Sequence, residues 1–217
     1  YTGCLAQGAY YIESDGEAVV IDPLREVKPY LEKAERNNAR IKYVFETHFH
    51  ADFVSGHIDL AKESGAQIVY GPTAKPDFDA HIATDGEELK AGKLTFKVLH
   101  TPGHTMESTC YLLRDEHGKD IAIFTGDTLF IGDVGRPDLS SGDLTSEDLA
   151  SMMYDSLQHV LHWAENNHDR VRAARRGDLR VLASLHAWRA PPLRRRRRHL
   201  RRVDARDRPL GRSHPRG

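Results

Sequence analysis

Cysteine, long apolar runs and, in the last part of the chain, lysine are all scarce in this sequence. The two cysteines, Cys4 and Cys110, are too few for a disulfide framework, and their spacing suits no zinc knuckle. No stretch approaches the roughly 20 apolar residues of a membrane span, and no signal peptide is recognisable. These absences argue against a disulfide-stapled scaffold and a membrane span, and a reduced cytoplasmic setting is the expectation.

Charge is divided unevenly along the 217 residues, although the formal net charge is only −1. Residues 1–169 hold 14 Lys+Arg and 29 Asp+Glu and sum to −15. Residues 170–217 hold 17 Arg, no Lys and 3 Asp and sum to +14. We therefore expect one acidic domain, residues 1–161, followed by an arginine-rich tail, residues 162–217.

Candidate strands and helices interleave along the acidic part of the chain, and they are bounded by Gly, Pro and Asp. This order predicts a mixed α/β domain in which helices cover sheets. The predicted strands cover residues 9–12, 17–22, 41–45, 67–70, 94–99, 110–113 and 121–125, and the predicted helices cover residues 27–37, 57–64 and 146–161.

Potential metal ligands are most concentrated in residues 46–57, directly after the predicted strand 41–45. Here His48, His50 and Asp52 alternate along the chain, at a junction between a strand and a helix. Imidazoles and carboxylates held at the end of a rigid strand bind borderline cations. The stretch therefore predicts a metal site.

Two more polar clusters follow predicted strands, His104 in Thr-Pro-Gly-His-Thr and Asp127 in Thr-Gly-Asp-Thr. A lone histidine is more often a satisfied structural residue than a ligand. Three clusters in order, each at a strand end and beside a Gly or Thr, favour the metal site instead. Strand ends are also where ligands usually bind in α/β folds.

Three long segments carry a family resemblance: Glu-Thr-His-Phe-His-Ala-Asp-Phe-Val-Ser-Gly-His, His-Thr-Pro-Gly-His-Thr-Met-Glu-Ser and Phe-Thr-Gly-Asp-Thr-Leu-Phe-Ile-Gly-Asp-Val-Gly-Arg-Pro-Asp-Leu. They resemble the metallo-β-lactamase superfamily, and within it the persulfide dioxygenase branch, which is related to glyoxalase II. The resemblance covers about residues 1–160 and implies an αββα sandwich. Rhodanese domains often share a chain with such proteins, so a rhodanese domain or protein is an expected functional partner.

The dinuclear members of the superfamily have His-x-His-x-Asp-His, but here the last position is Phe53. A phenyl ring cannot ligate, so we expect one metal ion rather than two. The resemblance implies that the ligands are His48, His104 and Asp127, the facial triad of non-haem Fe(II) oxygenases. One Fe(II) per chain is the expectation, with zinc as the alternative.

The other polar residues of the first cluster then take supporting roles. We expect His50 and Asp52 to hydrogen-bond waters or ligand imidazoles and so to orient them. For His57 a similar supporting role and a purely structural role at the start of a helix are both open.

Arg136 matches an arginine that contacts the thiol-carrier substrate in related enzymes. A guanidinium grips a carboxylate with two hydrogen bonds, which suits such a contact. The alternative is a salt bridge to Asp133 or Asp138.

The resemblance implies oxidation of a low-molecular-weight persulfide, such as glutathione persulfide, by O2. Both oxygen atoms add to the outer sulfur, and water releases sulfite and the thiol. The alternative function is a glyoxalase II-like zinc thioester hydrolase, against which Phe53 argues. We expect no membrane partner, and a homodimer is compatible with the sequence.

The resemblance ends near Leu161, and the motif Tyr-Pro-Ala-His-Gly-Ala-Gly-Ser expected after it is absent. A legitimate coding of residues 169–180, read from its second base, gives Thr-Ala-Tyr-Ala-Pro-His-Gly-Ala-Gly-Thr-Cys-Gly. We therefore interpret the tail as out-of-frame or disordered and the domain as lacking its last strand and helix, so that the chain as written folds poorly or is inactive. Nucleic-acid binding by the tail is the competing hypothesis, but no binding motif and few aromatics support it.

Overall fold

Two sheets form the framework of the protein in the computed structural model, which describes residues 8–130, 133–138 and 144–166. The first sheet is mixed: β1 is antiparallel to β2, whereas β2, β3, β4 and β5 are parallel neighbours. Its strands are, in sheet order, β1 (Tyr10–Ser14), β2 (Glu17–Ile21), β3 (Arg40–Phe45), β4 (Gln67–Tyr70) and β5 (His81–Ile82).

The second sheet is antiparallel throughout, and each of its strands pairs with the next one along the chain. Its strands are β6 (Glu88–Ala91), β7 (Leu94–His100), β8 (Thr109–Arg114) and β9 (Asp120–Phe124), and a short hairpin of β10 (Leu129–Phe130) and β11 (Asp133–Val134) follows. The helices are α1 (Lys28–Arg36), α2 (His57–Ser64) and α3 (Ser146–Asn166).

The main core lies between the two sheets, because alternate residues of their strands face each other. Phe45 of β3 stacks on Tyr111 of β8 with ring centroids 4.6 Å apart, and meets Phe96 of β7 edge-on at 5.2 Å. Such aromatic pairs contribute stability beyond their buried area. The buried core residues are Ile12, Val19, Ile21, Phe45, Val69, Ala83, Ala91, Phe96, Val98, Tyr111, Leu113 and Phe124.

Helices cover the outer sides of this sandwich. A second apolar cluster, which includes Val20 and Val44 of the first sheet, packs against Ala34 of α1 and Leu60 of α2. On the other side α3 lies against the turn after β7, where Ser156 Oγ donates to the carbonyl of Pro102 at 2.8 Å. The layers are therefore helix, sheet, sheet and helix, and the predicted αββα sandwich is confirmed.

The longer predicted strands are all present, but several short ones were not predicted. No strand is predicted between residues 71 and 93, yet β5 lies there, because its backbone pairs with β4 through Val69 and His81. Strands β10 and β11 were missed because two residues carry no periodicity, and the four-residue β6 was missed because it has only one large apolar side chain, Leu89.

The described chain ends with α3, which continues to Asn166 rather than stopping at Leu161. The described residues all belong to one unit, Tyr1–Leu185, and the second unit, His186–Gly217, lies outside them. The arginine-rich tail beyond residue 166 and the expected loss of the last strand and helix therefore also fall outside the described residues. Among the helices of the described part, none is long and apolar enough to cross a membrane.

We predict that Tyr111→Phe lowers the free energy of unfolding by about 1–3 kcal/mol. The buried Tyr111 hydroxyl donates to the carbonyl of Glu46 at 2.9 Å and lies 3.4 Å from that of Val69, so it joins the two sheets at the end of β3. Urea denaturation measures the change. Tyr154→Phe on the exposed face of α3 is the matched control. Equal stability of the Tyr111 variant and the wild type would contradict the prediction.

Candidate metal centre

The carboxyl ends of parallel strands meet at one edge of the first sheet, and this edge carries the site. Ile21 of β2 and Phe45 of β3 are partners in register, so Asp22 and the chain from Glu46 onward leave the sheet side by side. The backbone N–H of Asp22 donates to the carbonyl of Phe45 at 2.9 Å and closes this edge. The second sheet contributes the turn after β7 and the turn after β9.

His48, His104 and Asp127 come together from these three strand ends. One potential ligand atom from each of them lies within 4.8 Å of the other two. His104 Nε2 is 3.5 Å from Asp127 Oδ2, and His48 Nε2 is 4.0 Å from the same oxygen. The two imidazoles are buried and nearly perpendicular, with centroids 4.9 Å apart. The structure thus gathers the three predicted ligands, and their assignment as ligands stays a prediction.

The hydrogen bonds of the two imidazoles set the tautomer of each ring, so that Nε2 carries no proton when the ring is neutral. His104 Nδ1 donates to the carbonyl of Arg136 at 3.1 Å, which places the proton on Nδ1. Thr47 Oγ1 donates to Asp22 Oδ2 at 2.9 Å and therefore accepts from His48 Nδ1 at 3.0 Å. Both Nε2 atoms then present a lone pair toward Asp127, which is the form that binds a metal.

Burial controls the charge of this group. It lowers the pKa of His48 to about 3, and the neighbouring His50 adds to the effect, so His48 is neutral at neutral pH. Burial also raises the pKa of Asp127, which His104 and His50 partly offset. Two imidazoles and a carboxylate in a partly dry site form a donor set that suits a divalent cation.

A second cluster, Asp22, Glu46 and His50, lies directly behind the first. His50 Nε2 donates to Asp22 Oδ1 at 3.0 Å and is 3.5 Å from Glu46 Oε2. Burial alone would lower the pKa of His50, but the Asp22 carboxylate raises it. The pKa of Glu46 is raised well above its usual value by burial, and the charge of Asp22 adds to this. His50 thus bonds to a buried acid pair rather than to a ligand imidazole, and the supporting role predicted for it stays a prediction.

Phe53 stands beside this arrangement, with its ring centroid 4.4 Å from that of His50. Asp52 is exposed, and in the described part of the chain its carboxylate is not hydrogen bonded to an imidazole, so the predicted contact of this kind is not seen. A cavity of about 480 Å³ opens at Phe53 and His50 and is otherwise walled mainly by Phe49, Val54, Ser55, Ile58 and Tyr70.

His57 begins α2, as predicted for a helix-start histidine, but its ring nitrogens do not bond to the backbone. Both nitrogens are buried without a hydrogen-bond partner in the described structure, and Nδ1 is 3.7 Å from Glu46 Oε1. Burial lowers its pKa to about 4, with a further contribution from His50. The ring packs against Tyr70 and Phe78, so His57 borders the second cluster and not the predicted ligands.

Arg136 contributes its backbone to the site, while its side chain points elsewhere. Its carbonyl orients His104, as described above, but its exposed guanidinium makes two hydrogen bonds to Asp138, at 2.9 and 2.8 Å. The structure therefore has the salt bridge that was the alternative for this residue. The predicted substrate contact would require the guanidinium to leave Asp138, and it stays a prediction.

Close backbone packing around the predicted ligands explains the glycines of their loops. A Cβ on Gly135 would lie 1.9 Å from the carbonyl oxygen of Asp127 and 3.0 Å from Nδ1 of His104. A Cβ on Gly126, which has φ +49°, would lie 2.4 Å from Thr47 Oγ1. Side chains at these positions would push apart the loops that carry the predicted ligands, so glycine allows these loops to approach one another closely.

The sequence did not reveal Asp22, Glu46 or Thr47 as parts of the site. Asp22 looked like the end of a strand before a proline, and Glu46 and Thr47 like the flank of the histidine cluster. A usable signal was available for Asp22, because it follows a strand predicted to lie beside β3. Residues that follow neighbouring parallel strands end at the same edge of the sheet.

An αββα sandwich with histidines and an aspartate converging at its strand ends defines a class of metal-dependent proteins. The family model of the metallo-β-lactamase superfamily matches residues 2–212, and the chain belongs to this superfamily. The cytoplasmic hydroxyacylglutathione hydrolase of Arabidopsis thaliana is 33% identical over 159 residues, which cover 71% of this chain and 58% of that protein. The hydroxyacylglutathione hydrolase of Tolumonas auensis is 35% identical over 161 residues, with coverages of 72% and 57%.

Solved structures show the same fold. ETHE1 from Myxococcus xanthus is 35% identical, with a TM-score of 0.61 over 70% of this chain and 64% of that chain. TTHA1623, solved in a di-iron-bound form, is 26% identical, with a TM-score of 0.57 over 72% and 82%. The chain spans less than three fifths of the length of the two curated relatives, so the activity of the whole protein remains a matter of proposal.

We predict that Gly135→Ala weakens binding of a divalent cation at least about tenfold, because the new methyl group displaces Asp127 or His104. Titration of the metal-free chain with Co²⁺ against a chelating dye measures the affinity. Gly118→Ala is the control, since its Cβ would meet no atom within 4 Å, although its φ of +74° strains the turn. That variant should lose stability only. Unchanged Co²⁺ affinity in the Gly135 variant would contradict the prediction.

Proposed function

We propose that the chain forms the metal-binding part of an enzyme that acts on a derivative of a low-molecular-weight thiol. In this proposal one cation is held by His48, His104 and Asp127. The convergence of these three side chains, with the protons of both imidazoles held on Nδ1, supports it. An enzyme of this superfamily would need no further metal ligand from the chain if substrate or water completed the coordination.

For the reaction we propose oxidation of a persulfide to sulfite and thiol, with Fe(II) as the cation. The observation that carries this choice is Phe53, which occupies the position of a second-site histidine and packs on His50. With one site and three protein ligands, the remaining coordination positions suit an oxygenase. The sequence resemblance to persulfide dioxygenases supports the same choice.

A second candidate is hydrolysis of a glutathione thioester with zinc. The names of the curated relatives, hydroxyacylglutathione hydrolases at 33–35% identity, support this candidate better than they support the oxygenase. TTHA1623, which has this fold, was solved with two iron ions bound. Both candidates share a thiol carrier, and they differ in the number and kind of cation.

A bound Fe(II) would supply the redox chemistry for the first reaction, and a bound Zn²⁺ would supply a Lewis acid for the second. In either reaction, the residues of the chain would hold the cation and bind the substrate. His48 and His104 offer neutral donor atoms in fixed orientations, and Asp127 offsets the charge of the cation. Phe53 offers no ligand to a second ion. Arg136, if it releases Asp138, can bind a carboxylate of the carrier.

A cytoplasmic location remains our proposal, and the name of the cytoplasmic Arabidopsis relative supports it. The substrate pair of a thiol persulfide and O2, a homodimer and a rhodanese domain or protein as functional partner also remain proposals. We do not propose nucleic-acid binding for the tail.

Metal analysis together with two assays tests the reaction. For the chain with its reading frame restored, as proposed below, we expect about one iron per chain, O2 uptake with glutathione persulfide, and no hydrolysis of a glutathione thioester, because Phe53 offers no ligand to a second ion. His104→Ala should abolish metal binding, while His117→Ala, in the exposed turn before β9, should leave it unchanged. Zinc in the protein with thioesterase activity and without O2 uptake would instead establish the second candidate.

We also propose that residues beyond about 161 are read out of frame. Sequencing of the encoding DNA should reveal an insertion or deletion between the codons of Leu157 and Asp169, because the shifted frame restores a His-Gly-Ala-Gly motif. An uninterrupted frame in an independent isolate would exclude this proposal. Turnover is then to be compared between the chain as written, for which we expect none, and the chain in the restored frame.

A further inference from the structure

The two histidines of the metal group belong to loops of different sheets, and one side chain connects these loops. His48 follows β3 of the first sheet, and His104 follows β7 of the second. Glu107 lies three residues after His104, and its Oε1 accepts the backbone N–H of Phe49 at 3.0 Å. The peptide group held in this way is the one that directly follows His48.

The peptide group before His48 is held by the same loop. The backbone N–H of Thr109 donates to the carbonyl of Thr47 at 2.9 Å. The loop that carries His104 therefore grips the chain on both sides of His48, once through the backbone of Thr109 and once through the side chain of Glu107. Only the second of these contacts can be removed by changing a side chain.

Glu107 can hold the His48 loop at a fixed distance from the His104 loop, because its own backbone is held in place. Thr109 Oγ1 donates to the carbonyl of Glu107 at 3.0 Å. Gly71, directly after β4, packs so closely here that a Cβ on it would lie 1.6 Å from Thr109 Oγ1 and 3.0 Å from the Glu107 carbonyl oxygen. A side chain on a rigidly held backbone fixes the position of its hydrogen-bond partner more precisely than a side chain on a mobile loop does.

The far end of the contact is ordered too. The ring of Phe49 packs on that of Tyr70, with centroids 4.6 Å apart. This contact limits the movement of Phe49, and loss of Glu107 would leave its N–H without the carboxylate.

We propose that Glu107 is a positioning residue that sets the distance between His48 and His104, and that it acts as a hydrogen-bond acceptor rather than as a charge. The inference rests on the proposed metal site. Metal affinity depends on ligand spacing, and loss of a residue that orients a ligand typically weakens metal binding 10- to 100-fold. A residue that only stabilised the fold would change the unfolding midpoint and leave the affinity of the folded chain unchanged.

Two variants of the full chain separate these roles. Glu107→Gln keeps an oxygen that can accept the N–H of Phe49 but removes the charge, and Glu107→Ala removes both. Glu116→Ala is the matched control, because Glu116 lies in the exposed turn before β9 and faces Lys93. Co²⁺ affinity and the visible spectrum of bound Co²⁺ report the ligand spacing. Amide hydrogen exchange at Phe49 in the metal-free chain reports the contact itself.

We expect Glu107→Ala to weaken Co²⁺ binding at least tenfold, to alter the Co²⁺ spectrum and to speed amide exchange at Phe49. Glu107→Gln should stay within about threefold of the wild type in affinity, and Glu116→Ala should match it. The proposal is overturned if Glu107→Ala binds Co²⁺ like the wild type, if Glu107→Gln loses as much affinity as Glu107→Ala, or if Glu107→Ala does not fold. Should the wild type bind no cation, the metal site fails, and the exchange at Phe49 still decides whether Glu107 holds the loop.

Discussion

The buried carboxylate of Asp22 ties together the chain that follows β3. It accepts the backbone N–H of Thr47 at 2.8 Å, the Thr47 hydroxyl at 2.9 Å and His50 Nε2 at 3.0 Å. Because the Thr47 hydroxyl donates its hydrogen to Asp22, it can only accept a hydrogen bond from His48 Nδ1. This bond fixes the orientation of the His48 imidazole as well. Burial alone would raise the pKa of Asp22, but His50 lowers it, so the anchor stays charged. Asp22 itself has φ +48°, a conformation that costs most residues about 1 kcal/mol and that Asp tolerates better than most.

The second sheet meets the first at the edge where Asp22 lies, and this packing brings the three predicted ligands together. Tyr111 and Thr109 of β8 bond to the chain at Glu46 and Thr47, just before His48. Gly135 brings the last loop against Asp127. Each ligand loop is thus held by a neighbour from another strand, and the geometry of the metal group depends on how the two sheets are stacked more than on any one loop.

These dependencies explain what could be predicted from the sequence. The fold class and the longer strands were predictable, because four or more residues with a clear pattern identify a buried strand, whereas two-residue strands such as β5 exist only through their pairing. The clusters that contain His48, His104 and Asp127 were recognisable, because each follows such a strand beside a Gly or Thr, whereas the choice of these three residues as ligands came from the family resemblance. Asp22 and Glu107 were not, since a single acid before a proline or in a turn looks like an ordinary surface residue until the fold brings it to the site.

Phe53 shows why relatives that share this fold need not share the number of metal ions in the site. The identity of 33–35% with hydroxyacylglutathione hydrolases covers 71–72% of this chain, and such identity follows the fold more closely than the reaction. The number of cations, by contrast, depends on a few atoms. Asp52 is exposed and has no imidazole beside it at position 53, so this stretch offers fewer ligands to a second ion than His-x-His-x-Asp-His does. The strands, the Asp22 anchor and the three converging side chains can therefore stay the same while the number of bound cations changes with a single residue.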